Sequence, residues 1–210
     1  VPVLVDAAYP MITVGLANGS ETMAAAWPDG VDWLVVDHYG LDAKFETACR
    51  GWARKILVID DLADRPHDGD VLLDQTPGRT PEDYGLGENK NCRPLLGTNY
   101  AILRPEFATM RPKALQRRGD VKVRRLIIFC GTVDRANLTA KALQALDGID
   151  LDAVDVVLGS MAPHLEQVNA LAATAPCPVT VHTDLQDMAG LLADADIAVG
   201  AAGTSSWERC

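Results

Sequence analysis

Short apolar runs recur along the chain, each bounded by polar or turn residues: Trp33–Asp37, Lys55–Ile59, Val71–Leu73, Arg125–Phe129, Val154–Leu158, Val179–His182 and Asp196–Gly200. Val, Ile and Leu dominate them and follow one another without polar alternation, as in strands covered on both faces. Between the runs the apolar positions change to helical spacing. Phe45, Ala48 and Trp52 follow a cap at Asp42, and Leu138, Ala142, Leu143 and Leu146 follow one at Asn137. Leu165, Val168 and Leu171 follow Pro163 as a first helical residue, and Met188, Leu191 and Leu192 follow Asp187. Strand and helix in alternation predict an α/β fold with mostly parallel sheets.

One stretch interrupts the alternation. Met110 to Arg124 concentrates charge and has no apolar periodicity, which is how a linker between α/β domains reads. The expected organisation is an N-terminal Rossmann-like domain over 1–112, a linker over 113–122 and a C-terminal Rossmann-like domain over 123–210. Both domains are expected to be incomplete, because the sequence opens without Met and stops at Trp207-Glu208-Arg209-Cys210, where a helix is only starting.

Composition narrows the class. The chain has 210 residues, 48% hydrophobic and 23% charged, ordinary for a globular protein with a sizeable core. A net charge of −10 argues against nucleic acid as the main partner, because phosphate contacts need clustered Lys and Arg. A small anionic ligand stays open, since backbone amides and helix dipoles bind phosphate without net positive charge. No apolar run of membrane-spanning length and no signal-peptide series occurs, so no membrane association is expected and the cytoplasm is the expected compartment. The five cysteines are scattered and form no CxxC pair, which fits reduced structural thiols rather than a zinc site or disulfide frame. Nothing in the pattern sets an oligomeric state.

Candidate chemistry lies where apolar runs give way to turns. Val199-Gly200-Ala201-Ala202-Gly203-Thr204-Ser205-Ser206-Trp207-Glu208 ends a strand in small residues and opens a helix. Small side chains at Gly203 admit a diphosphate to the backbone, amides at Thr204 and Ser205 point toward it, and Glu208 is placed to accept from a ribose diol. The same text reads equally as a Gly/Ala turn with a capped helix. Gly131 and Thr132, in Cys130-Gly131-Thr132-Val133-Asp134, form a second such junction, neither a P-loop nor a GxGxxG turn. Both loops leave strands of one half at their carboxyl ends, where open α/β sheets place ligands. Leu185, in a third βα loop, offers its backbone to a pyrimidine edge, though a plain loop reads as well.

In the first half, Asp37, His38 and Tyr39 stand at a strand's carboxyl end. His38 suits a general base and Tyr39 the orientation of a water, against the alternative of a capped junction with a locally satisfied His. Asp60 and Asp61 suggest metal or acid/base work, or else a turn paired with Arg65, and no third ligand is spaced for a metal. His67 and Asp70 read as turn residues, and His164 and His182 as structural.

The blocks DHYG, DDLADR, NYAILRPEF, CGTVDRANLT and GAAGTSSWE, in this order from Trp33 to Cys210, resemble the UDP-2,4-diacetamido-2,4,6-trideoxy-β-L-altropyranose hydrolases of pseudaminic acid biosynthesis. The resemblance implies a two-domain glycosyltransferase-B type fold. It places uracil near Leu185, the diphosphate at Gly131, Thr132, Gly203, Thr204 and Ser205, the ribose at Glu208, and the sugar toward Tyr39. It implies water attack at the anomeric carbon with release of UDP, and no metal or organic cofactor. Two features depart from the pattern. The family's GxGH turn has no counterpart in Val1 to Asp32, so hydrolysis is expected to be impaired, and Thr132 stands where the family has a second glycine. A UDP-sugar glycosyltransferase and a non-catalytic nucleotide-sugar-binding module remain the alternatives.

Overall fold

The computed structural model describes residues 12–15, 19–86, 91–119, 122–203 and 205–210. The chain divides into two compact units, Val1–Ala101 and Ile102–Cys210. In unit 1 the described elements are helix α1 (Gly19–Ala26), strand β1 (Val31–Val36), α2 (Ala43–Cys49), β2 (Ala53–Ile59), β3 (Val71–Asp74) and β4 (Arg93–Leu96), with single 3₁₀ turns at Pro81–Tyr84 and Thr98–Tyr100. In unit 2 they are α3 (Pro105–Arg117), β5 (Arg125–Phe129), α4 (Leu138–Gln144), β6 (Ala153–Leu158), α5 (Leu165–Ala173), β7 (Val179–Thr183), α6 (Met188–Asp194), β8 (Ile197–Gly200) and the short α7 (Ser205–Glu208).

Each unit holds a four-stranded sheet among the described residues, and every pairing is parallel. Sheet order is β1-β2-β3-β4 in unit 1 and β7-β6-β5-β8 in unit 2. The consecutive apolar runs have the expected cause in unit 2. Leu126 and Ile128 pack on one face with Leu143, Leu146 and Val168, while Ile127 between them packs on the other with Phe107, Val157 and Met188. In unit 1, Leu34, Val36, Ile56 and Val58 bury against Cys49, Phe45 and Met23 of α1 and α2.

Four local readings change. Strand β4 carries Pro94, which removes a ladder donor and hides the run from a strand pattern, and an edge strand tolerates it. Residues 105–117, expected to run into a charged linker, form α3 with Pro112 inside it, and the division between units falls ahead of this helix at Ala101. Its inward face is Phe107 and Met110, followed by Arg117, whose guanidinium bonds the carbonyls of Ala193 and Ala195 and the Asp196 carboxylate. A charged anchor replaces the third apolar residue, so hydrophobic periodicity misses the helix. Asn137 does not cap α4: it sits at φ +52° and its amide bonds Gln167, while Asp134 accepts from the amides of Leu138 and Thr139, both at 2.9 Å. Helix α5 starts at Leu165 behind His164, with Pro163 in the preceding turn.

Candidate functional site

In unit 2 the chain builds outward from β5 to β6 and β7, then returns to the opposite side of β5 with β8. That reversal makes a topological switch point between β5 and β8, and the crevice beyond the strands' carboxyl ends there is where open α/β sheets bind ligands. Phe129 lies opposite Gly200 in register, so the two glycine-containing junctions leave the sheet side by side. Gly131 has φ +97° and Gly203 φ +124°, and a Cβ on either would meet no atom within 4 Å. Both therefore combine backbone that favours glycine with open space above it. At Gly200 a Cβ would fall on the Phe129 carbonyl oxygen, so this glycine serves the close strand pairing instead.

The surrounding loops are pinned. The amide of Gly159, after β6, donates to the Thr132 carbonyl at 2.8 Å, which holds the loop after β5 while the Thr132 side chain stays exposed. The amide of Ser160 donates to Asp184 Oδ1 at 3.0 Å, tying the loops after β6 and β7. Asp134 is buried in the loop after β5. Burial pushes its carboxyl up, but the amides of Thr139 and Leu138 outweigh that and hold it low, an anion spent on starting α4. Burial raises the Cys130 thiol, so the loop's only sulfur is a neutral floor rather than a nucleophile.

Leu185 packs its side chain partly into the core beside Phe107 and Met188, so what it offers outward is backbone. Ser205 opens α7, and Thr204 lies outside the described residues. Glu208 has a side chain 16% exposed, with Oε1 3.9 Å from Arg104 Nη2. Sequence reading did not reach Arg104 or Arg209. Arg104 lies over the Phe107 ring at 5.0 Å and pairs with Glu106, while Arg209 donates to the Ala201 carbonyl and Ser206 Oγ and closes the turn after β8. A cavity of about 480 Å³ also opens in this unit, lined by Arg117, Arg118, Val123, Asp196 and Arg209. It lies toward the amino ends of β5 and β8, and shares Arg209 with the turn after β8.

In unit 1, Asp37, His38 and Tyr39 follow β1 and are all exposed. His38 Nδ1 accepts from the amide of Gly40 at 2.9 Å, which puts the ring proton on Nε2 and spends one nitrogen on the loop's own turn. The Tyr39 hydroxyl donates to Asp61 Oδ2 at 3.5 Å. The Asp61 charge, then its hydrogen bond, raise the Tyr39 phenol, with smaller contributions from burial, Asp37 and Asp60. The phenol is thus a neutral donor throughout the ordinary pH range.

Behind these exposed groups lies a buried polar network. Asp60 and Asp74, at the ends of β2 and β3, have side chains without solvent exposure. Arg65 pairs with Asp60 at 2.6 Å and Arg79 with Asp74 at 2.7 Å. The Tyr84 hydroxyl bridges them, 3.0 Å from Asp60 Oδ2 and 2.9 Å from Asp74 Oδ2, and burial with both carboxylates raises its phenol steeply. His67, read as a turn residue, is buried with Nδ1 2.7 Å from Glu46 Oε1. Asp70, read the same way, is an ion-pair hub for Arg50 and Lys55. His182, read as lacking a partner, bonds Asp155 Oδ1 across the strands at 2.8 Å. Of these partners, only Arg65 was signalled locally, in the DDLADR block. Among the described residues, no group of three or more His, Cys, Asp or Glu is placed to hold a metal ion, and no helix is long and apolar enough to cross a membrane.

No family model matches the sequence. An uncharacterized protein of Methanocaldococcus jannaschii is 25% identical over 183 residues, covering 84% of this chain and 38% of that protein. A UDP-2,4-diacetamido-2,4,6-trideoxy-β-L-altropyranose hydrolase of Campylobacter jejuni is 26% identical over 171 residues, covering 78% of this chain and 57% of the hydrolase. Among solved structures, MurG of Acinetobacter baumannii superimposes with a TM-score of 0.56 at 15% identity, covering 98% of this chain and 60% of MurG. The chain spans less than two thirds of the length of each. The fold is the α/β, glycosyltransferase-B type expected, with two parallel sheets.

Proposed function

We propose that this chain belongs to a nucleotide-sugar enzyme and that unit 2 receives UDP at the switch point between β5 and β8. The observation that carries the reading is the pairing of Phe129 with Gly200, which sets two open, positive-φ glycine turns side by side beyond adjacent parallel strands. The diphosphate lies along Gly131, Thr132, Gly203, Thr204 and Ser205, the uracil reads the Leu185 backbone, and Glu208 accepts from the ribose diol. The net acidity of the chain is no obstacle, because these contacts are made largely by backbone groups.

The parent reaction is hydrolysis of a UDP-linked 2,4-diacetamido-2,4,6-trideoxy sugar at its anomeric carbon, with water attacking and UDP leaving. The likeness to the Campylobacter hydrolase over 78% of the chain supports this chemistry. On this reading Tyr39, a neutral phenol beside Asp61, orients the sugar or the water, with Asp37 and His38 on the same loop. His38 spends Nδ1 on the Gly40 amide, so on this reading it shapes the loop that carries Tyr39.

The test has two arms. Calorimetry with UDP is expected to show one saturable site per chain that Gly203→Val abolishes and Tyr39→Phe leaves intact. Incubation with the UDP-sugar is expected to release UDP. Absence of UDP binding rejects the nucleotide site, while UDP binding without release from the UDP-sugar rejects the hydrolysis. The MurG-like fold also supports a second reading, a glycosyltransferase, and UDP release that depends on an added sugar or lipid acceptor would select it.

A further inference from the structure

We propose that Arg65 is the positioning residue of the Tyr39 loop: anchored on buried Asp60, its guanidinium fixes the backbone from His38 to Leu41 and so sets the Tyr39 hydroxyl against Asp61. The inference rests on the reading of Tyr39 as a group that faces the sugar, and it adds the device that holds it there.

Tyr39 is 65% exposed, and its hydroxyl makes a long hydrogen bond to Asp61. Such a side chain keeps a fixed place only if its backbone is fixed. Arg65 supplies that from outside the loop. Its side chain is 13% exposed, and Nε donates to the Leu41 carbonyl at 2.8 Å while Nη2 donates to the His38 carbonyl at 3.3 Å, bracketing Tyr39 and Gly40. Nη1 donates to Asp64 Oδ1 at 2.8 Å, and Nη2 lies 2.6 Å from Asp60 Oδ1.

Asp60 is itself fixed. Its Oδ2 accepts from the amides of Leu62 and Ala63 at 3.2 and 2.8 Å, and lies 3.0 Å from the Tyr84 hydroxyl. Asp61 is held at the same junction, because Arg79 Nη2 donates to its carbonyl at 2.7 Å. Thus one buried-paired arginine holds each side of the Tyr39–Asp61 contact. A lysine cannot reproduce the first clamp. Its single ammonium lacks the planar fork that reaches two carbonyls and a carboxylate together.

The consequence is electrostatic. The charged groups facing the phenol are Asp37 on its own loop and Asp60 and Asp61 from the loop after β2, and Arg65 pairs with Asp60 while bonding the His38 carbonyl. A phenol held there resists ionisation, and a phenol released into solvent titrates nearer its ordinary value.

The experiment titrates Tyr39 in the whole chain by carbon NMR of ring-labelled tyrosine, assigned with Tyr39→Phe. Asp61→Asn is expected to lower the Tyr39 pKa. Arg65→Lys is expected to lower it as well, and on the Arg65→Lys background Asp61→Asn is expected to do little more, because the two groups are no longer in contact. Thr47→Ala, at a hydrogen bond on α2, is the control for general loosening and is expected to leave the titration in place. An Asp61→Asn shift undiminished on the Arg65→Lys background, or a Thr47→Ala effect equal to that of Arg65→Lys, overturns the proposal. Should Arg65→Lys not fold, Asp60→Asn combined with Arg65→Gln removes both buried charges at once, and the same cycle with Asp61→Asn decides. The titration needs no nucleotide. Failure to bind UDP therefore rejects the proposed function and leaves this result standing, and an intact UDP site does not rescue it.

Discussion

Asp70 gathers three donors onto one carboxyl group: Lys55 Nζ at 2.7 Å, Arg50 Nη1 at 2.5 Å and the Ile56 amide at 2.9 Å. Burial alone would raise this carboxyl, and the hydrogen bonds from Lys55, Arg50 and Ile56 outweigh it and hold the pKa at about 2. An unfolded Asp titrates near 3.9, so the folded value is depressed. The stabilisation is then fully present above about pH 4 and is lost as pH falls toward about 2. Asp70→Asn is expected to cost on the order of 2 kcal/mol at neutral pH and to flatten the acid limb of stability over that window. Urea unfolding at a series of pH values reads this, and parallel acid limbs for the two proteins would count against it. The residue was visible in the sequence and its role was not. Arg50 and Lys55 lie 20 and 15 positions away, and no local pattern names them as partners.

At the scale of elements, consecutive apolar runs foretold seven strands, although the expected cover on both faces fails at β1 and β8, where Trp33, Val35, Ile197 and Val199 are exposed. Helix α1, β4 and α3 escaped notice; β4 and α3 each carry a proline, and in α3 the Arg117 anchor stands in place of an apolar residue. The helix α4 shows the same limit. Asn137 has the composition of a cap, but Asp134 reaches the first amides because the loop after β5 turns through left-handed backbone at both residues. The pairing of β5 with β8 carries the candidate site. Gly200→Ala drives a Cβ onto the Phe129 carbonyl and within 2.6 Å of Arg209 Nη1. It is expected to cost about 1–3 kcal/mol and to weaken UDP binding together with stability. Denaturant midpoints and UDP calorimetry on one preparation check this. An unchanged midpoint would mean that the strands separate at no cost, against the geometry.

For the whole molecule, the division into two units matters more than the overall size. Each unit encloses its own apolar clusters, so a ligand of one unit has a reporter of its own. Trp27, Trp33 and Trp52 lie in unit 1 and Trp207 in unit 2. UDP at about 100 times its Kd is expected to stabilise its unit by roughly 2.7 kcal/mol. The unfolding midpoint followed at Trp207, in a variant that keeps only this tryptophan, should rise accordingly and do so equally in Tyr39→Phe. No rise would remove the nucleotide from unit 2. A rise abolished by Tyr39→Phe would move the site. The division falls at Ala101, and the charged stretch that the sequence reads as linker is helical to Arg117, since charge density marks exposed helix and linker alike.

By itself the sequence determined the class of elements, their order and the turns that make up the candidate site. Gly131 and Gly203 follow apolar runs and are found, as expected, just past strand ends, and both have positive φ. These properties depend on neighbours within a few residues, and local sterics and burial periodicity write them directly into the text. Tertiary structure alone decided that β8 lies beside β5, which turns two separate glycine loops into one candidate cradle. It also decided that Tyr84 joins the Asp60–Arg65 pair to Asp74 beneath Tyr39. Those bonds of Tyr84 reach residues 10 and 24 positions away. A buried charge takes whichever partner the fold delivers, and the fold is set by the packing of the sheets rather than by the residues next to it.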